Sequence, residues 1–161
     1  MKVKHEHVVQ APRDTVLAAY RDDTFYVEKL KNSGALTVDI VEREELPGDR
    51  LRRKMKVSEP SRVPSFLRKS EVDTYEDNDV LDCTAGTLTW KVTPQMMADK
   101  FFLSGAVEFH PEGAATRIVF HTELEVRIAF VGGQAEKIGL GKTEEEVTRQ
   151  VDFLRKWLKE H

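Results

Sequence analysis

A single thiol, Cys83, is present in 161 residues. One cysteine cannot form an intramolecular disulfide, a thiolate zinc site or a Cys-x-x-Cys redox pair, and a reducing cytoplasm suits that inventory. Long apolar runs are missing as well. No stretch approaches the roughly 18 residues of a membrane span, and Met1-Lys-Val-Lys-His5 leads into polar alternation instead of the apolar core of a signal peptide. The expectation is a cytoplasmic protein without stable membrane insertion. Basic excess is absent: the formal net charge is −3, so nothing global points to nucleic acid. Gly-x-Ser-x-Gly, Walker and dinucleotide-binding fingerprints do not occur. No cofactor is implied, and no metal ligand set stands out at a recognisable spacing.

What is present is patterning. Hydrophobic residues make up 40% of a chain long enough for one domain, 1–161, to bury a core unaided. Val3, His5, His7 and Val9 share one parity and predict a half-buried strand over 2–10. Pro12 suits the first turn of a helix, where its missing N–H costs nothing. Two short helices follow over Thr15–Arg21 and Thr24–Lys31, with capping side chains at Asp22-Asp23-Thr24 and a close at Asn32-Ser33-Gly34. A turn at Pro47-Gly48 pairs Val38 with Val57, Ile40 with Met55, Glu42 with Arg53 and Glu45 with Arg50. A four-residue loop at Pro111-Glu-Gly-Ala114 places Val107 opposite Ile118, Gly105 opposite Phe120, Leu103 opposite Thr122 and Phe101 opposite Leu124. Between these, strands around 69–76 and 80–92 are joined at Asp77-Asn-Asp79, with the register open. Ser58–Ser65 reads as a long loop ending in Phe66-Leu67. Thr143-Glu-Glu-Glu146 has the pattern of a capping box, and Val147, Val151, Leu154 and Leu158 form one helical stripe. Residues 134–138 also read as helix, which Gly139 and Gly141 either soften or break.

This order of elements, with Val9-Gln-Ala-Pro12 and Val16 at the first junction, resembles the START-like superfamily, also called SRPBCC, helix-grip or birch-pollen-allergen-like. The sequence is more similar still to an uncharacterised, largely actinobacterial branch. The matching stretches are Phe101–Gly105, Thr116–Phe120 and Val131-Gly-Gly-Gln-Ala-Glu136, with a helix ending near Trp157-Leu158. It departs from that branch at Ala129-Phe130, where such sequences carry a proline. The resemblance implies an α+β fold in which a curved seven-stranded antiparallel sheet grips a long C-terminal helix.

A bent sheet and a straight helix cannot touch along their full lengths, so large side chains fill the gap or a cavity remains. Small residues at Gly105, Ala106, Gly139 and Gly141 favour the cavity. Its expected wall is Met55, Trp90, Met97, Phe101, Leu103, Phe120 and Leu124 from the sheet side, with Val147, Val151 and Leu154 from the helix. Polar wall groups would be His5, His7 and Thr122. Each has a plainer reading. The histidines suit an ordinary strand face, and Met96-Met97, Trp90 and Trp157 suit core filling. Arg50, Arg52, Lys54 and Lys56 suit a solvated strand face better than a phosphate site, and Cys83 a half-buried small residue. The 58–67 loop is either a lid or an anchored connection.

The function these readings favour is binding, sequestration or transport of a hydrophobic small molecule such as a lipid, isoprenoid or polyketide-like compound. Relatives of the fold imply two alternatives: a cyclase or aromatase using the same cavity, and a co-chaperone-like interaction module. The enzyme would need an inward acid–base pair from among His5, His7, Glu42 with Arg53, and Tyr75. The oligomeric state is left open.

Overall fold

Alternation carries the chain from Lys2 to Val9 as β1, after which Pro12, with φ −61°, stands at the N-cap of α1 (Arg13–Arg21). Asp22 separates α1 from α2 (Asp23–Asn32), and its carboxylate accepts the Thr24 and Phe25 amides at 2.8 and 3.3 Å. That bond pair caps the start of the second helix. In this computed structural model, which describes Met1–His161, six strands follow: β2 (Thr37–Leu46), β3 (Arg50–Pro60), β4 (Val72–Asp82), β5 (Thr87–Pro94), β6 (Phe101–Glu112) and β7 (Ala115–Val126). Two helices end the chain, α3 (Gly132–Leu140) and α4 (Thr143–Glu160). The seven strands form one antiparallel sheet in the order β1-β7-β6-β5-β4-β3-β2. The α+β helix-grip architecture expected from the sequence is therefore the one observed.

Several local expectations are corrected. The β2–β3 loop takes three residues, Pro47 to Asp49, with Gly48 and Asp49 both at positive φ. An irregularity at Val41 then restores the expected pairing of Ile40 with Met55 and Val38 with Val57. Nearer the turn the register differs, so Glu42 pairs with Lys54 and not with Arg53. The β6–β7 turn is only Gly113-Ala114, and every expected partner moves by two: Gly105 faces Thr122 and Leu103 faces Leu124. A shift of two preserves which face each side chain occupies. Ser58–Pro60 belong to β3, so the long connection is Ser61–Glu71.

The largest correction concerns Asp77-Asn-Asp79. These residues lie mid-strand in β4, paired on both sides, and the turn lies at Cys83–Gly86. There the Asp82 side chain accepts the Ala85 amide at 2.9 Å and Gly86 takes φ +69°. Thr143 is also no capping box: its hydroxyl donates to the Leu140 carbonyl at 2.8 Å, and Glu146 turns to Arg62 instead. The C-terminal helix is broken at Gly141-Lys142.

The core fills the end of the gripped space beneath α1, α2 and the later turns of α4. Tyr20 meets Phe109 and Phe25 edge-on at 5.0 and 5.2 Å between ring centroids, and Phe25 meets Trp157 at 5.4 Å. Leu51, Leu81, Ile118, Val151 and Leu154 are fully enclosed around them.

Candidate functional site

At the other end the packing stops. A cavity of about 590 Å³ opens between the inner faces of β4–β7, α2, α3 and the first turns of α4. Its apolar wall includes Trp90, Val92, Phe101, Leu103, Phe120, Leu124 and Val147. Gly105 shapes it in an unexpected way. A Cβ there would fall 2.4 Å from the Trp90 ring, so the missing side chain lets the indole lie flat on the sheet. Across the space Gly139 packs α3 tightly on Leu124, where a Cβ would approach to 2.6 Å. The rim is formed by Val63, Pro64 and Leu67 of the Ser61–Glu71 loop and by Met96 and Met97. Met97 holds φ 61°, and the Lys100 and Phe101 amides both donate to its carbonyl. Phe66 is 52% exposed and stays outside the lining.

Of the residues singled out in the sequence, the fold brings Trp90, Met97, Phe101, Leu103, Phe120, Thr122, Leu124 and Val147 to the cavity wall. Met55, Val151 and Leu154 lie in the solid core instead, in one buried cluster with Tyr20, Phe25 and Tyr26 of α1 and α2. His5 and His7 also lie elsewhere. They border an open polar recess with Lys4, Glu6 and Glu144, since α4 packs against edge strand β1 and Arg155 donates to the Val8 carbonyl at 2.8 Å. Burial, reinforced by Arg155, lowers the His7 pKa. Glu42 points to Arg52 and Lys54 on the outer surface, whereas Tyr75 lines the cavity.

The polar groups in and behind the wall, Lys29 and Asp77 in it and Arg53 and Asp79 behind it, were hidden in the sequence. Arg53 is completely buried on the sheet's inner face, yet fully engaged: Nε meets Asp23 at 2.8 Å, and the guanidinium donates to the Tyr20 and Arg21 carbonyls. Beside it, Asp77 and Asp79 point inward from β4, at 7% and 1% exposure. Asp77 Oδ1 has no hydrogen-bond partner. Burial, reinforced by the Asp79 charge, lifts the Asp77 carboxyl to about 7. Asp79 is raised to about 6, again chiefly by burial, with the Tyr26 hydroxyl and the Arg53 and Lys29 charges restraining it. Lys29 of α2, 5% exposed, completes this wall. Its ammonium lies over the Tyr26 and Tyr20 rings, 4.2 and 5.4 Å from the centroids, and burial lowers its pKa to about 8. One signal for Lys29 was available: it lies four residues after Phe25, on the face that α2 buries.

Nearer the rim a second polar group is closed on itself. Glu59 takes Arg62 Nε at 2.9 Å and the Tyr75 hydroxyl at 3.3 Å, while Arg62 reaches Glu146 of α4. This latch ties the Ser61–Glu71 loop to the helix.

The sequence profile for a protein family of unknown function, DUF2505, matches residues 4–158. The chain belongs to that family. No curated protein matches it in sequence. Solved structures with the same fold include the Zhui aromatase/cyclase from Streptomyces sp. R1128, at TM-score 0.72 and 16% identity over 99% of this chain and 93% of that one. Norcoclaurine synthase from Thalictrum flavum, in complex with a transition-state analogue, matches at TM-score 0.69 and 18% identity over 100% and 95%. A START superfamily protein from Mycobacterium smegmatis matches at 0.65 and 13% over 99% and 97%. At these identities the likeness is one of fold, and the fold of this DUF2505 member is START-like. None of its helices is long and apolar enough to cross a membrane.

Proposed function

We propose that this DUF2505 chain acts as one START-like domain, 1–161, that binds a hydrophobic small molecule in its cavity and sequesters or delivers it in the cytoplasm. The observation that carries the reading is the cavity itself. Its volume of about 590 Å³ lies within the roughly 300–1,000 Å³ of small-molecule sites, and Trp90, Phe101, Leu103 and Leu124 give it an apolar wall. Apolar burial at about 25 cal/mol per Å² would supply affinity. The proposed contacts are Trp90, Met97, Phe101, Leu103, Phe120, Thr122, Leu124 and Val147.

A second reading, an enzyme of the cyclase kind, draws on Lys29 and Asp77. Both border the cavity with pKa values brought near neutrality by burial, the condition that suits proton transfer at physiological pH. An interaction module of the co-chaperone kind has less support, since the interior is hollow. Native mass spectrometry of protein purified from its own cytosol, compared with the denatured mass, tests the lead reading. A bound mass that is lost on denaturation is expected. A bare mass, with no thermal shift across a lipid and polyketide panel, removes it.

A further inference from the structure

Two of the five buried charged side chains, Arg53 and Glu59, are held by protein groups, whereas Asp77 and Lys29 face the cavity without an ion-pair partner. Arg53 is held by Asp23 and two carbonyls, and Glu59 by Arg62 and Tyr75. Asp77 has no such arrangement. It projects from the inner face of β4, between Met55 of β3 and Val92 of β5, with Oδ1 enclosed and unpartnered. Lys29 borders the same cavity from the opposite layer, its ammonium resting on aromatic faces instead of on a carboxylate. Buried acceptors and donors left unmatched are costly, and a group held in that condition at a cavity wall is one a ligand can satisfy.

We propose that this end of the cavity recognises a neutral hydroxyl, so that the ligand is an apolar alcohol or phenol whose O–H donates to Asp77 and whose oxygen accepts from Lys29. A hydroxyl is the smallest group that does both. The local charge disfavours the alternatives. Asp77 and Asp79 already face Lys29 and Arg53 in this buried layer, so a ligand carboxylate would add a further buried anion beside carboxylates. A ligand ammonium would have to share the space with Lys29. The remainder of the ligand lies against Trp90, Leu103 and Leu124. The inference rests on the cavity being a binding site, and the test keeps the two apart.

Titration calorimetry or intrinsic fluorescence would compare 2-naphthol, 2-methylnaphthalene and 2-naphthoate, which share an aromatic body and differ in the head group. For the wild type, 2-naphthol should bind about tenfold more tightly than 2-methylnaphthalene, with 2-naphthoate weakest. Asp77→Leu should bring 2-naphthol down to the level of 2-methylnaphthalene while leaving 2-methylnaphthalene within about twofold. Asp77→Asn serves as the second variant if the leucine variant does not fold, and should keep a reduced preference. Equal binding of 2-naphthol and 2-methylnaphthalene by the wild type, or an equal loss of all three on substitution, overturns the hydroxyl assignment and leaves the cavity reading standing. Failure of all three to bind the wild type overturns both.

Discussion

Beneath α1 and α2 Phe109 on the inner face of the sheet meets Tyr20, which in turn meets Phe25, rings in edge contact at 5.0–5.2 Å, and the space is full. Beneath α3 and the start of α4 the same sheet meets Ala135, Gly139 and Thr143, and about 590 Å³ stays open. Both ends use strands of one sheet and helices of ordinary length. What differs is the size of the side chains the helices lower onto it. Two short aromatic-bearing helices plug one end, and a small-residue helix followed by a break leaves the other hollow.

Truncating a side chain at each end should separate them most clearly. Phe109→Ala, at 1% exposure, opens a hole inside solid packing and should cost about 3–5 kcal/mol. Leu103→Ala enlarges a space that already exists and should cost about 1 kcal/mol, from lost transfer energy with little added cavity cost. Urea unfolding of both variants measures the gap, and equal losses would show that the hollow end is as tightly packed as the plugged one.

Charge gives the next contrast, since Asp77 has its pKa raised on folding to about 7. Below about pH 4 its proton is bound in both folded and unfolded states, and the stability this contributes is fully present. It is lost as pH rises through about 7, because the folded protein must then bury the carboxylate. Asp77→Asn removes the titration. The stability of wild type relative to that variant should therefore fall by an amount on the order of 3 kcal/mol between pH 4 and pH 8. Lys29, with its pKa lowered to about 8, has the opposite slope: its contribution is present above about pH 10.5 and lost as pH falls through about 8. The cluster is thus least favourable between about pH 7 and pH 8. Chemical denaturation across pH measures it, and a difference that does not change with pH would contradict the buried placement.

The smallest effect is expected at the rim. Glu146→Ala frees Arg62, and with it the Ser61–Glu71 loop, from α4, at a cost of about 1 kcal/mol or less because Arg62 is 46% exposed and keeps Glu59. Amide exchange should quicken in 61–71 while Leu51 and Leu81 of the core stay protected. No change in loop exchange would show that the latch does not hold it.

The sequence was legible where local and long-range preferences agree. Pro12 and Asp22 set the first helices by local chemistry alone, a fixed φ and a capping carboxylate, and the parity of β6 and β7 survived a wrong turn length because the error was two residues. Val38–Val57 and Ile40–Met55 were paired correctly through compensating errors, a three-residue turn and a bulge at Val41. Asp77-Asn-Asp79 failed for a physical reason. Its residue types favour a turn, but pairing with β3 and β5 on both sides outweighs that preference and drives two carboxylates inward. The same misreading concealed Asp77 at the cavity wall and Asp79 behind it. The histidines attracted attention by residue type alone, and only the position of α4 over β1 shows that they border a separate recess instead of the cavity.

The interruption at Gly141-Lys142 divides the roof into two pieces with separate duties. Val151 and Leu154 clamp the lower piece into the core, while Ala135, Gly139 and Leu140 on the upper piece face the void. Residues 132–142 can therefore change, and the shape of the void with them, while the clamp that secures folding stays untouched.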